Sequence, residues 1–220
     1  MIPSGDAKLL QILDVALVDV AGRSGEWLVC HPGCTQCCVG VFPIHQLDAA
    51  RLRAGLVELA RTDPERAAAV RERARRSVER LTADFPGDAV TGLLDLPSSP
   101  DFPLEESPLE ASEREARFDD FANDEPCAAL DPSTGLCDLY SSRPVTCRVF
   151  GPPVRSEQGL GICELCYHGA TPEEIAACEM PVDSDGLEPA LIEEFERSSG
   201  ASGRTLVAFA LDSLTVEGPR

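Results

Sequence analysis

The segment "CHPGCTQCC", residues 30–38, places four cysteines in nine positions, the last two adjacent. Six more follow at Cys127, Cys137, Cys147, Cys163, Cys166 and Cys178. This constrains the fold more than any other feature, because every thiol must be bridged, metallated or buried. A chain of 220 residues, 43% of them hydrophobic, can bury a core of ordinary size and needs no staples to fold. The N-terminal apolar run is broken by Asp14 and Asp19 and lacks the basic start of a secretory leader. We therefore expect a cytoplasmic protein, where a reducing environment disfavours structural disulfides. Gathered thiolates raise one another's pKa, and a bound cation removes that cost while deprotonating them. Metal binding is the leading expectation, ahead of a disulfide frame or inert thiols.

Spacing refines this. Gaps of two or three residues let a turn fold back so that successive thiolates face one ion, and Pro32, Gly33 and Gly40 are the turn-formers. Cys37 and Cys38 pose a separate problem. Neighbouring side chains of an extended chain point to opposite sides. We expect one ligand to each of two centres, or one ligand beside a neighbouring or redox thiol, with one member joining Cys30 and Cys34 and the other facing the second block or a second centre. Eight to ten thiols suit two four-ligand centres or one polynuclear cluster, and the spacing leaves both open. Cys30-x3-Cys34-x2-Cys37 is similar to the triad that holds the cluster of radical S-adenosylmethionine enzymes, but their β/α barrel has no counterpart in this sequence. Cys163-x2-Cys166 reads as a ligand pair or a redox dithiol. His31 and His168 are candidate ligands or neighbouring imidazoles, and His45 is a helix-start residue. Trp27, just before the cluster, is expected to shield it. The two blocks should meet in space across the 88 residues between Cys38 and Cys127.

The net charge of −19 disfavours nucleic acid and anionic membranes as partners. No stretch approaches the ~18 uninterrupted apolar residues of a membrane span. The histidines are scattered, and there is no glycine-rich phosphate cradle.

We expect one domain over 1–220, mainly α with short β-hairpins, a small irregular α+β fold organised around a cysteine-bound metal centre. The cysteine core is assigned to 27–45 plus 120–180, a helical insertion to 46–85, and a Pro-rich acidic loop to 86–111. Leu9, Leu10, Leu13, Ala16, Leu17 and Val20 give an amphipathic helix over 5–21. "TDP" at 62–64 separates two further helices, with Thr62 or Asp63 as cap. The second carries arginines, expected on a solvated face paired with Glu65, Glu72 and Glu79. A short acidic helix is expected near 112–125. "CAALDPSTGLCDLY" predicts a hairpin with one cysteine on each arm. Ser141 or Ser142 should start a helix carrying Cys147. Thr171-Pro172 starts another, and 187–197 and 203–214 could close the chain with two more.

"CHPGCTQCC", then "CAALDPSTGLCDLYSSRPVTCRVFG", then the cysteine of "GIC", resembles the YkgJ-like cysteine-cluster family. The matching residues are Cys30, Cys34, Cys37, Cys38, Cys127, Leu130, Cys137, Tyr140, Arg143, Pro144, Cys147, Arg148 and Phe150, with Cys163 or Cys166 as the late cysteine. The resemblance implies a domain chelating zinc or iron. An iron-sulfur cluster is an alternative occupant, and Cys178 lies outside the pattern. Flagellin lysine methylases share this cluster type, but nothing else of them is present, so methylation is not implied. Arg143, Arg148 and His168 are expected around the metal, the arginines balancing thiolate charge or pairing with Asp138 or a nearby Glu. Tyr140 and Phe150 are expected as core packing. Two other functions compete with simple metal binding. One is an iron-sulfur enzyme, possibly S-adenosylmethionine-dependent. The other is a zinc-stapled interaction module whose arginine-rich helix faces an acidic partner.

Overall fold

The computed structural model describes residues 1–96, 107–156, 159–183 and 185–212. It is mainly helical, with four two-stranded antiparallel pairs. In chain order the elements are α1 (Asp6–Ser24), β1 (Ile44–His45), α2 (Gln46–Thr62), α3 (Pro64–Leu81), β2 (Gly87–Asp88), β3 (Leu93–Leu94) and α4 (Pro108–Asp119). Then come β4 (Leu130–Asp131), β5 (Leu136–Cys137), α5 (Val145–Val149), β6 (Val154–Ser156), β7 (Gly159–Gly161), α6 (Pro172–Ala177), α7 (Leu187–Ser199), β8 (Arg204–Thr205) and α8 (Val207–Asp212). Among the described residues no helix is long and apolar enough to cross a membrane.

The helices form where periodicity and caps place them. Helix α1 buries Leu9, Leu13 and Val20 and runs three residues past the expected end. Helices α2 and α3 are divided by Asp63, whose carboxylate accepts from the Arg66 N–H, with Pro64 in the first turn. Helix α3 buries Ala67, Val70, Ala74, Ser77 and Leu81, a spacing of three and four that keeps one face inward. That face, with Leu52 and Leu56 of α2, the short helix α8, Phe85 and Phe121, makes the largest core cluster. The segment expected as an insertion therefore carries the main core. A second cluster joins α1 to α7 through Leu9, Leu13, Leu191 and Phe195, with Leu47 and Val145.

Within 86–111, expected as loop, β2 and β3 pair and α4 starts at Pro108. Ser107 and Glu110 form a capping box there, a signal hidden inside a proline-rich run. Residues 97–106 of that loop lie outside the described residues. Strand β8 pairs with β1, Ile44 opposite Thr205 and His45 opposite Arg204, which returns the C-terminal segment to the start of α2.

Buried Arg51 donates to Asp6 of α1 and to Asp48 on its own helix. The Asp48 carboxylate also accepts from the Val145 N–H at 3.1 Å. Helix α5 has no side-chain cap of its own, so Asp48 supplies one from a distant helix and positions the turn that carries Cys147. Ser141 and Ser142, expected to start α5, lie instead in a 3-10 turn over Tyr140–Ser142.

Candidate metal centre

The first cysteine block is two successive turns. Cys34 N–H donates to His31 O at 3.0 Å, with Pro32 and Gly33 between and Gly33 at φ +91°. Proline second and a left-handed glycine third is the pattern of a type II turn. It brings Cys34 back toward Cys30. The chain then winds into a 3-10 turn over Gln36–Cys38, with Cys38 N–H donating to Thr35 O.

The second block is laid against this one by backbone pairing. Cys127 N–H donates to Cys38 O at 2.8 Å, Gly40 N–H donates to Glu125 O, and Val39 bridges Pro126. Strand β5 then carries Cys137 opposite Leu130. Cys127 lies before β4 rather than on it. The expected hairpin forms, but with a cysteine on one arm. Its turn approaches the first block closely: a Cβ on Gly135 would sit 3.3 Å from Gly33 Cα.

The late pair arrives by the β6–β7 hairpin. Cys166 N–H donates to Cys163 O, and Cys163 N–H donates to Gly151 O at 3.3 Å. Gly151 itself lies against Cys30, since a Cβ there would be 2.9 Å from Cys30 Sγ. The consequence is a contact between sulfurs 136 positions apart: Cys30 Sγ and Cys166 Sγ are separated by 4.0 Å. All ten cysteines are unbridged thiols.

The thiols perturb one another. Burial, then Cys166, Cys163 and Cys34, push Cys30 up to about 12. Burial pushes Cys127 up to about 11, with Cys137 and Cys37 adding to it, and raises Cys147 well above its usual range. The adjacent thiols of Cys37 and Cys38 shift each other in opposite directions, Cys37 down and Cys38 up, and Arg143 adds to the lowering of Cys37. The expected divergence of the pair presumed extended backbone, whereas Gln36–Cys38 is a 3-10 turn, in which successive side chains do not alternate as they do in a strand.

Around the thiols, Arg143 is 8% exposed and its guanidinium stacks 3.8 Å above the Tyr140 ring. Tyr140 and Phe150 are not core residues: they are 61% and 46% exposed, and Tyr140 serves Arg143 instead. Arg148 is buried and pairs with Asp14 of α1 at 2.7 Å, rather than with Asp138 or a Glu. Asp138 is taken by Arg66 and Arg73 of α3, each at 2.6 Å, while Arg80 holds Glu125. These three arginines recur every seven residues, so one stripe of α3 grips the second cysteine block. Only part of the arginine helix forms the expected local pairs: Arg75 with Glu72 and Glu79, and Arg76 with Glu72.

Trp27 is half-buried and packs with Cys163, Cys166, Tyr167, Cys178 and Met180, as expected of a shield. Cys178 is buried beside Tyr167, whose hydroxyl contacts Ser24. His168 is exposed on the turn after Cys166, His31 is exposed with Nδ1 against Pro32 O, and His45 precedes α2. Sequence reasoning missed Asp48, Gly151 and the Asp138 clamp. Each acts across a long sequence gap, and no local pattern announces it.

A zinc–sulfur bond of about 2.3 Å implies sulfur–sulfur edges of about 3.8 Å in a tetrahedron. The Cys30–Cys166 separation of 4.0 Å is close to that edge. Among the described residues no group of three or more His, Cys, Asp or Glu side chains is placed to hold a metal ion. The donor set, all soft sulfur, suits zinc or iron.

No curated protein and no solved structure matches the chain. A family model does, over residues 29–167, a span that holds nine of the ten cysteines: CxxCxxCC, described as "Putative zinc- or iron-chelating domain". With more than half its length in that match, the chain belongs to the CxxCxxCC family of zinc- or iron-chelating domains.

Proposed function

We propose that this is a cytoplasmic metal-binding protein that holds zinc or iron through the thiolates of Cys30, Cys34, Cys37, Cys38, Cys127, Cys137, Cys147, Cys163 and Cys166. The observation that carries this is the approach of cysteines from three distant segments, with Cys30 and Cys166 sulfurs 4.0 Å apart and unbridged. Deprotonated together, these thiols would repel one another, and a bound cation removes that cost. Unbridged thiols in this number also suit a reducing compartment. A sphere filled by protein sulfur leaves no open position for hydrolysis, which favours a structural or metal-holding role. The interaction-module alternative is weakened because Arg66, Arg73 and Arg80 are already paired with Asp138 and Glu125 of the same chain.

Elemental analysis and an absorption spectrum of protein purified without oxygen test the reading. Colourless protein with stoichiometric zinc, or coloured protein with iron, is expected. A broad band near ~400 nm with acid-labile sulfide would identify an iron-sulfur cluster. Protein that binds neither metal, as purified or after anaerobic reconstitution, would end the proposal.

A further inference from the structure

The nine clustered thiols do not form one group. We infer that they make two separate metal centres divided at Thr35: a four-thiol centre of Cys30, Cys34, Cys163 and Cys166, and a five-thiol centre of Cys37, Cys38, Cys127, Cys137 and Cys147. This rests on the metal-binding reading above and deepens it.

The scaffolds are distinct. The first set stands on two reverse turns, His31–Cys34 and Cys163–Cys166, each closed by a backbone hydrogen bond. They are held together by the Cys163 N–H bond to Gly151 O and by the contact of Gly151 with Cys30. The second set stands on the 3-10 turn of Gln36–Cys38, the ladder from Cys38 to Cys127, strand β5 and helix α5. Between Cys34 and Cys37 the chain changes direction at Thr35 (φ −112°, ψ 5°) and enters the tighter turn. Only two residues separate these two thiols in sequence, yet they stand on different turns.

The packing differs at the same place. Cys163 and Cys166 lie in the buried cluster that Trp27 packs against, while Cys127 and Cys137 pack against the main core. Four thiolates satisfy one tetrahedral ion. Five exceed that number by one, so the second centre has a thiol to spare.

Cadmium, a sulfur-seeking stand-in for zinc that reports each site by its own NMR resonance, tests the division on the full chain. Anaerobic loading with ¹¹³Cd should give two equivalents and two resonances, with no cadmium–cadmium splitting. Cys163→Ser/Cys166→Ser should remove one resonance and one of the two equivalents and leave the other resonance at its shift. Cys137→Ser/Cys147→Ser should do the reverse. Splitting between resonances, a stoichiometry of one or of three or more, or loss of the same resonance from both variants would overturn the division while leaving metal binding intact. If either variant fails to fold, the wild-type count and splitting still decide. Failure of the wild type to bind cadmium, zinc or iron would instead sink the metal-binding reading, and the two centres with it.

Discussion

Replacing Arg66 and Arg73 together by alanine should destabilise the protein more than replacing Asp138, the carboxylate they share. The reason lies in exposure. The Asp138 side chain is 4% exposed, Arg66 53% and Arg73 23%. In Asp138→Ala the two guanidiniums can turn to water, so the loss is limited to two charge-assisted contacts, about 1–2 kcal/mol. In Arg66→Ala/Arg73→Ala a buried carboxylate stays behind without its cations, and Arg73 also gives up its bond to Ala128 O. An uncompensated buried charge costs about 3–5 kcal/mol. Arg66→Ala alone should cost under about 1 kcal/mol, since Arg73 remains and Arg66 is half in solvent. Urea unfolding of metal-loaded protein gives the comparison. With a slope of about 2–3 kcal/mol per molar, the double variant should lower the midpoint by about 1–2 M, and Asp138→Ala by about 0.5 M. An Asp138→Ala variant as unstable as the double arginine variant would refute the reasoning. The clamp would then act through packing of Asp138, not through which charge is left in the interior.

Two further predictions follow from single sites. Gly151→Ala places a Cβ 2.9 Å from Cys30 Sγ at a backbone φ of +126°. A free thiol can rotate away and a ligated one cannot, so metal affinity involving Cys30 should fall at least about tenfold, or ~1.4 kcal/mol, by competition with a chromophoric chelator; unchanged affinity would remove Cys30 from the ligands. Glu188 and His45 should drive stability in opposite directions with pH. Burial, then Asp48, pushes Glu188 up to about 7, and burial, then Arg204, pushes His45 down to about 4. From pH 4.5 to 7 the folded state keeps a Glu188 proton that the unfolded chain has released, so this group makes stability fall as pH rises. From pH 4 to 6.5 the unfolded chain holds a His45 proton that the folded state lacks, so that group makes stability rise. Glu188→Gln should therefore steepen the rise of the urea midpoint between about pH 5 and 6.5, and His45→Ala should expose the fall. Identical pH profiles for the two variants would show that neither group carries the shift assigned to it.

Local patterns carried the sequence reading a long way. The boundary between α2 and α3, the Thr171 capping box at α6 and the turn at Pro32-Gly33 each depend on residues within four positions, which fix caps and dihedrals wherever the segment ends up. The cysteine motifs were legible for the same reason: ligand spacing is a local property. The amphipathic face of α1 likewise followed from a 3.6-residue period. The misreadings have physical causes as well. The capping box at Ser107 was masked by neighbouring prolines, and the divergence of Cys37 and Cys38 assumed extended backbone where the chain forms a 3-10 turn.

What the sequence by itself determined is the inventory: ten thiols, their turns, the helices that flank them, and the chemistry of soft-metal binding that thiols in this pattern imply. Tertiary structure decided which segments meet. The approach of Cys30 to Cys166 and the pairing of Cys38 with Cys127 depend on a hairpin delivering residue 163 to Gly151 and on a ladder between residues 38 and 127. The use of Arg66 and Arg73 depends in the same way on where Asp138 lands. Contacts of this kind join segments dozens of residues apart. Their energies are set by which surfaces the whole chain buries together, and nothing within a few residues of either partner encodes that choice.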